Sequence, residues 1–276
     1  MKDSNESVID AERLSFLNWS ELWAYRELFY FFAWRDIKIK YKQTVLGFLW
    51  AVLQPLLMMI IFTFFFGRAL SIPSQDLPYP VFVFSGLLIW NMFSSGLVSS
   101  SNSMVNNSQI IKKIYFPRLV IPGASLLVSL FDFLMSLIIF GGILIFYQQS
   151  VSIHALWAWP AAIAFALIAT LGPGTWLAAL NIKYRDFRYV IPFLVQVLFF
   201  LTPIIYPVTF LKYEILQYVL AFNPVYGAIE LFRLPLDSEL HINLKYLSVS
   251  IGSCFALLLV GVIYFRKTEN FFADLA

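Results

Sequence analysis

Hydrophobic residues in this chain fall in long, uncharged runs and do not alternate with polar ones. Six runs reach the roughly 20 residues that a helix needs to cross a hydrocarbon layer about 30 Å thick. They are residues 45–66, 79–98, 119–147, 155–180, 189–211 and 246–265. Because lipid offers no partner to backbone polar groups, such runs form helices rather than strands. We therefore predict an all-α integral membrane protein with six transmembrane helices in a single domain, residues 1–276.

The basic residues are distributed unevenly around the six runs. If the amino terminus lies in the cytoplasm, fifteen of the nineteen Lys and Arg residues fall on the cytoplasmic side. The positive-inside rule therefore predicts that both termini are cytoplasmic. Residues 1–13 are polar, without an apolar stretch or a small-residue cleavage site, so we expect no signal peptide there. The net charge of +3 then reflects orientation in the membrane and does not indicate nucleic-acid binding.

Several catalytic and cofactor-binding arrangements are absent from the sequence. Cys254 is the only cysteine, and His154 and His241 are the only histidines, which excludes a disulfide framework and a His-rich metal site. No Lys follows a Gly, so the chain lacks the phosphate-binding loop of ATPases. We expect a protein that is not an enzyme and that binds no metal or cofactor itself.

Asp132 is the single acidic residue inside the six runs. An ionisable residue within a membrane span is a candidate functional group. No basic residue in any run matches it, however, and a proton-coupled carrier usually needs more than one such group. We favour a structural or interhelical hydrogen-bonding role for Asp132.

The motif Gly172-Pro173-Gly174 lies deep in the fourth run. Proline lacks the backbone N–H and so removes one helical hydrogen bond. The motif therefore predicts a helix that is unwound or kinked at this point, and the sequence alone suggests no function for it.

Residues 18–42 are too charged to span a membrane and are rich in aromatic residues, which suit the headgroup level. Arg35, Lys38 and Lys42 recur at spacings of three and four, which places them on one helical face. We predict a helix that lies along the inner membrane surface and turns into the first span. A basic topology anchor without a partner remains the alternative.

The cytoplasmic segment between the second and third runs combines apolar residues with three cations. Exposed apolar residues beside cations indicate a docking surface for a partner protein. The candidate docking residues are Ile110, Ile111, Lys112, Lys113, Ile114, Tyr115, Phe116, Pro117 and Arg118.

The outer segment, residues 212–244, contains apolar pieces that are too short to cross a membrane. Such pieces suit short re-entrant helices, which are tolerated where protein covers their backbone. Glu230 and Arg233 are spaced i,i+3 and predict an ion pair on a helix surface, which we favour over a contact with substrate.

Residues 34–56, WRDIKIKYKQTVLGFLWAVLQPL, resemble the opening signature of the ABC-2 type permeases that export polysaccharides. Further resemblances to that family follow in order between about Leu28 and Arg233. They are Ile111–Arg118, Lys183–Arg188, Pro203–Pro207 and Asn223-Pro224. Members of the family include the O-antigen, capsule and teichoic acid exporters.

The resemblance implies the permease subunit of an ATP-driven transporter that exports a lipid-linked polysaccharide, of the O-antigen type, across the bacterial cytoplasmic (inner) membrane. It implies a homodimer of this chain with two separate nucleotide-binding subunits, which would bind ATP and Mg²⁺. Residues 110–118 would then be a coupling helix seated on the ATPase, together with Arg35, Lys38 and Lys42 of the interface helix. Residues 212–244 would be the outward re-entrant helices.

A sugar chain has polar hydroxyl edges and apolar ring faces, so aromatic walls would give it many weak stacking positions without a deep trap. The candidate channel residues are Trp50, Gln54, Met58, Phe62, Trp90, Asn91, Phe199, Phe200 and Tyr206. The alternative for each is a position that faces lipid or packs helices together.

Three other functions remain open from the sequence. An ABC-2 exporter of a small lipid or drug would need no long aromatic channel. A membrane-embedded glycan-synthesis enzyme should carry an acidic catalytic or metal-binding constellation, which Asp132 and Asp186 do not make. A channel or structural bundle would leave the coupling motif unexplained.

Overall fold

The protein is a bundle of α-helices. The structure, a computed structural model, describes residues 19–42, 47–74, 77–236, 243–269 and 272. The helices are α1 (Trp19–Ala24), α2 (Arg26–Lys42), α3 (Gly47–Phe62), α4 (Tyr79–Asn106), α5 (Ser108–Ile111), α6 (Val120–Phe146), α7 (Ala155–Lys183), α8 (Phe187–Phe200), α9 (Glu214–Ala221), α10 (Pro224–Arg233) and α11 (Leu244–Glu269). A π-helical segment, Thr63–Ala69, directly continues α3. Parts of three predicted elements, residues 18, 45–46 and 237–242, lie outside the described residues.

Five helices in the described ranges are long and apolar enough to cross a membrane. They are Val52–Ala69 of α3 with its π-helical continuation, α4, α6, α7 and α11. No strand occurs in the part of the chain that the structure describes. The predicted class, an all-α integral membrane protein, is confirmed.

Helix α4 forms the centre of the bundle. Its 28 residues extend over about 42 Å, and it packs against α6, α7 and α10. Phe84 of α4 stacks on Phe140 of α6, with ring centroids 5.8 Å apart. Because lipid tails are as apolar as these side chains, such contacts stabilise the bundle mainly through van der Waals packing.

Helices α7 and α11 approach each other closely at two glycines. A Cβ atom on Gly261 would lie 2.0 Å from the carbonyl oxygen of Gly172, and one on Gly172 would lie 2.6 Å from the backbone nitrogen of Leu258. On Gly174, a Cβ atom would lie 2.7 Å from Oγ of Ser100 in α4. Small residues permit this approach in membrane bundles. The predicted unwinding at residues 172–174 is wrong, because α7 remains helical throughout and the glycines serve close packing.

Helix α8 is shorter than the predicted fifth span. It ends at Phe200, so its 14 residues cover about 21 Å, less than a hydrocarbon layer of about 30 Å. The prediction that residues 189–211 form one helix is wrong beyond Phe200, because Pro203 and Pro207 have no backbone N–H to donate. Residues 201–207 follow an irregular path, and α9 and α10 then form a pair bent by 95°.

Helix α2 packs side by side with the first half of α6. A Cβ atom on Gly123 would lie 2.6 Å from the ring of Phe29, and eleven residues further along α2, Lys40 pairs with Asp132 of α6. Eleven residues correspond to about 16 Å of helix. The end of α2 therefore lies beside the middle of α6. The bare backbone of Gly123 and the carboxylate of Asp132 are two of the contacts that hold α2 against α6.

Candidate functional site

Residues 107–118 are anchored on α2. The buried Phe116 ring lies 5.8 Å from the Phe32 ring, centroid to centroid. The guanidinium of Arg35 lies 4.9 Å from the Phe32 centroid and donates to the side-chain oxygen of Asn107 at 2.7 Å. Asn107 is the residue at which α5 begins. Arg35 and Phe116 therefore hold this segment against α2.

The exposed part of this segment is narrower than predicted. Ile114 and Tyr115 are 62% and 68% exposed, and the exposed Lys112 and Lys113 precede them. We call these four residues the 112–115 patch. The other predicted docking residues of the segment are half-buried or buried: Ile110, Ile111, Phe116, Pro117 and Arg118.

The carboxyl-terminal end of the segment is held by the end of α11. The backbone N–H of Arg118 donates to the Glu269 carboxylate at 3.1 Å, and the Arg118 guanidinium lies 6.0 Å from the centroid of Phe272. Residues 107–118 are thus fixed at both ends, by α2 and by α11, with the 112–115 patch between them.

The remaining predicted cations of α2, Lys38 and Lys42, are exposed. The Lys38 ammonium lies 5.2 Å from the centroid of Trp34, which in turn stacks on Tyr30 at 6.3 Å. The exposed side of α2 therefore combines two of these cations, Lys38 and Lys42, with aromatic rings.

Three helices bring predicted channel aromatics together. Phe199 of α8 lies between Phe62 of α3 and Trp90 of α4, with ring centroids 5.8 and 5.5 Å away. Trp90 is only 5% exposed and packs against Phe199. Phe200, in contrast, is 60% exposed. The Tyr206 hydroxyl donates to the carbonyl of Phe200 at 2.8 Å and so holds the end of α8. These residues form one aromatic cluster between α3, α4 and α8.

A cavity of about 400 Å³ lies between α3, α4, α6 and α8, and its lining is mostly apolar with several polar side chains. Three of the predicted channel residues, Trp50, Gln54 and Asn91, line it. Its other polar lining residues are not among those predicted for the channel: Lys40, Ser94, Ser95, Asp132 and Ser136. Of these five residues, only Asp132 stands out in the sequence, because it is an acid within an apolar run. The sequence gives no sign that the other four lie beside it.

Asp132 joins the end of α2 to the cavity wall. One carboxylate oxygen accepts a hydrogen bond from the Tyr41 hydroxyl, and the other pairs with the Lys40 ammonium. Burial, and after it the hydrogen bond to Asp132, raises the pKa of the Tyr41 hydroxyl, so this group stays a donor. The interhelical hydrogen-bonding role predicted for Asp132 fits these contacts, and its cation comes from α2 rather than from another span.

The predicted surface pair between Glu230 and Arg233 is wrong. Both residues are buried, with Arg233 only 1% exposed, because α10 lies inside the bundle against α4, α7 and α11. The guanidinium donates to Oγ of Ser85 at 3.2 Å and to the carbonyl oxygens of Phe82, Pro203 and Ile204 at 3.0, 2.9 and 3.0 Å. Arg233 therefore connects α10 and α4 to the irregular residues that follow α8.

Residues 27–236 match the family described as ABC-2 type transporter. The O-antigen export system permease protein RfbA of Klebsiella pneumoniae is 30% identical over 241 residues, 87% of this chain and 92% of that protein. A protein of the same name from Myxococcus xanthus is 30% identical over 207 residues, 74% of this chain and 78% of its own length. The polysialic acid transport protein KpsM of Escherichia coli is 22% identical over 245 residues, 86% of this chain and 91% of that protein.

Proposed function

Because the chain belongs to the ABC-2 type transporter family, we propose that it is the permease subunit of an ATP-driven exporter of a lipid-linked polysaccharide of the O-antigen type. The names of its relatives support this substrate class. The observation that carries the proposal is that side chains along α3 contribute both to the cavity and to the aromatic cluster. Trp50 and Gln54 line the cavity beside its polar side chains, and Phe62, two turns further, packs on Phe199. Polar groups followed along the helix by aromatic ring faces suit a saccharide chain, because its hydroxyl edges are polar and its ring faces are apolar.

The proposed location is the bacterial cytoplasmic membrane, with both termini on the cytoplasmic side. The excess of Lys and Arg in the segments on that side supports this orientation. In this orientation the 112–115 patch faces the cytoplasm, and the bent pair α9–α10 faces outward.

The proposed assembly contains two copies of this chain and two ATPase subunits, which bind ATP and Mg²⁺. The helices α3 and α8 form a face with exposed apolar side chains, which supports a second copy of the chain as the partner that covers it. Ile60 is 58% exposed and Phe193 is 64% exposed, and a twofold axis would make the face self-complementary. The remaining channel wall would then come from the partner copy. The 112–115 patch, with cations and two exposed apolar side chains, suits the ATPase.

Closure of the ATPase dimer on ATP would move the 112–115 patch as a rigid body. The anchoring contacts of Phe116 and Arg35 would pass this motion to α2. The end of α2 contacts Asp132 and directly precedes α3, so the displacement would reach the cavity and the aromatic cluster. A polymer that stacks weakly at many positions could then slide without a deep trap.

The test is deletion of the gene in its host, followed by fractionation of lipid-linked glycan between the cytoplasm and the cell surface. We expect polymer to accumulate inside and to be exported again with the wild-type chain. A chain with Ile114→Asp and Tyr115→Asp should not restore export. Normal surface glycan in a host without a redundant exporter would refute polysaccharide export and favour a small lipid or drug as substrate.

A further inference from the structure

We propose that the π-helical segment Thr63–Ala69 is a conformational switch, which alternates between the π-helical form described here and an α-helical form. A π-helix closes its turns over five residues and an α-helix over four. Conversion to α-helix removes one residue from the turn, so everything beyond it rotates by about 100°, the angle of one α-helical residue. The outer end of α3 would turn, while Phe62, which precedes the segment, stays packed on Phe199.

The first argument is the unpaired hydroxyl of Thr63, the first residue of the segment. Elsewhere in the helices, Thr170, Thr175 and Thr268 each donate to the carbonyl four residues earlier, at 2.7, 2.8 and 2.9 Å. Oγ1 of Thr63 is buried and has no hydrogen-bond partner within the described residues. An α-helical turn here would offer it the carbonyl of Met59. The α-helical form therefore gains a hydrogen bond that the π-helical form lacks.

The second argument is the strained end of the segment. The backbone N–H of Leu70 donates to the carbonyl of Phe65, five residues back, at 3.1 Å. That of Ile72 donates to the carbonyl of Phe66, six residues back, at 3.0 Å. Ser71 lies between them with a φ of 49°, a left-handed conformation that a Cβ atom disfavours. Conversion to α-helix moves this exit by one residue, so Ser71 need not keep that conformation.

The third argument is that the segment can turn without breaking a packed core. None of its seven residues is buried, and the rings of Phe64 and Phe65 are 58% and 54% exposed. Its close contact with α4 is made by a glycine, since a Cβ atom on Gly67 would lie 2.7 Å from the ring of Tyr79. Gly67 therefore permits the contact of the π-helical form, whereas the Thr63 hydroxyl favours the α-helical form. Two arrangements with different contacts make a bistable element.

The switch is argued from this chain alone, and its role in export rests on the proposed function. Tyr79 donates to the carbonyl of Ile205 in the irregular segment after α8. The contact of Gly67 with Tyr79 therefore lies where α3, α4 and that irregular segment meet. A rotation there would move Phe64 and Phe65 relative to the aromatic cluster. The switch would thus act at the outer end of the export path, which one form would narrow and the other would widen.

The first test measures amide hydrogen exchange over residues 63–69, by mass spectrometry of the full chain in nanodiscs. Each conversion breaks backbone hydrogen bonds of the segment, so its amides exchange as the two forms interconvert. Thr63→Val removes the bond that favours the α-helical form and should slow this exchange about fivefold, the factor that one hydrogen bond contributes. Thr63→Ser keeps the hydroxyl and should exchange like the wild type.

Thr170→Val is the matched control for this measurement. It removes a hydroxyl that already donates to the carbonyl of Ala166, and it should not slow the exchange of residues 63–69. Exchange that Thr63→Val leaves unchanged or makes faster would overturn the switch, because removal of a hydroxyl that acts only in packing would not protect these amides.

The second test locks the π-helical form with a disulfide. Cys254→Ser removes the only cysteine of the chain. Gly67→Cys and Tyr79→Cys then add a pair whose Cβ atoms would lie 3.3 Å apart, close to the range of about 3.5–4.5 Å in disulfides. In the α-helical form residue 67 turns away from α4. The oxidised pair should therefore slow the exchange of residues 63–69 further than Thr63→Val does. A pair that forms no disulfide would overturn the proposal.

The same pair tests the role of the switch in export. In the deletion strain, export of glycan should stop when the pair is oxidised and resume with dithiothreitol. The single Gly67→Cys and Tyr79→Cys variants in the same background report the loss of the original side chains and should export equally in both conditions. Undiminished export by the oxidised pair would refute a role of the switch in export. Absence of export by the wild-type chain would instead refute the proposed function, and the exchange measurements would still decide the switch.

Discussion

The guanidinium carbon of Arg233 lies 3.7 Å from the centroid of the Phe82 ring, at the point where α10 meets α4. From this position Arg233 also donates to the carbonyls of Pro203 and Ile204. Those two residues belong to the irregular segment after α8, where the Tyr79 hydroxyl of α4 also donates to the carbonyl of Ile205 at 2.8 Å. The buried Arg233 side chain therefore stabilises the irregular segment that follows α8.

Arg233→Met should lower the free energy of unfolding by about 3 kcal/mol or more. Hydrogen bonds to a charged group contribute about 1.5–3 kcal/mol each, and Arg233 makes four, of which solvent or local rearrangement can replace some. Chemical denaturation in mixed micelles measures the change. Arg68→Met is the matched control, because Arg68 is exposed, and an equal loss in both variants would contradict the proposed role of the buried guanidinium.

The contact between α7 and α11 gives a second prediction. Gly261→Ala should destabilise the protein by about 1–3 kcal/mol, as expected for overpacking, because the new Cβ atom would lie 2.0 Å from the carbonyl oxygen of Gly172. Gly252→Ala on the same helix meets nothing within 4 Å and should leave stability unchanged or raise it slightly, since alanine favours helix. Thermal unfolding in detergent compares the two. Similar midpoints would mean that the two helices are not packed as closely as described.

Hydropathy predicts the apolar cores of the helices better than their ends. The predicted second span ends at Val98, but α4 continues to Asn106. In this last part, the side chains of Ser101 and Asn102 donate to the carbonyl of Val98, at 2.9 Å in each case, so their polar groups are satisfied within the helix. A hydropathy pattern contains no information about such local hydrogen bonds.

The candidate site was less predictable than the fold, because spacing identifies a helical face but not its neighbour. Asp132 stands out in the sequence as a lone acid, yet its partner Lys40 is 92 residues away in α2. For the same reason, the sequence does not distinguish Tyr115 from Phe116, which are adjacent aromatic residues. Only the packing on Phe32 separates an anchor from an exposed contact.

Tyr115 and Phe116 should therefore respond differently to substitution. Phe116→Ala should destabilise the chain by about 3–5 kcal/mol, as expected for a buried Phe. Tyr115→Ala should leave stability within about 0.5 kcal/mol, as for an exposed position, while it lowers both the ATPase recovered with the chain and the export of glycan. Thermal unfolding and co-purification separate the two effects. Full co-purification with the Tyr115 and Ile114 variants would show that the ATPase docks elsewhere.

A double-mutant cycle can measure the coupling between Lys40 and Asp132. Lys40→Met and Asp132→Asn should each destabilise the protein, and the double variant should lose about 1 kcal/mol less than the sum of the two. The coupling is modest because the Lys40 side chain is 44% exposed and the surroundings screen the charge. Lys38→Met, on the exposed side of α2, should show no coupling to Asp132→Asn. Additivity in both cycles would place the end of α2 away from α6.

From the aromatic cluster we predict how the rate of glycan export depends on contacts between aromatic rings. Phe199→Ala should lower the rate of glycan export about fivefold, because an aromatic contact contributes about 1 kcal/mol beyond its area burial and Phe199 holds rings from two other helices. Trp50→Ala should have an effect of similar size, whereas Trp50→Phe should retain most of the rate, since a ring face remains. Phe146→Ala is the control, because Phe146 is 79% exposed near the end of α6 and contacts neither α3 nor α8 in the described residues. Pulse labelling of surface glycan, corrected for the amount of permease, measures the rates. If Phe199→Ala and Trp50→Ala export at the wild-type rate, these rings pack helices or face lipid, and the sugar chain follows another route through the protein.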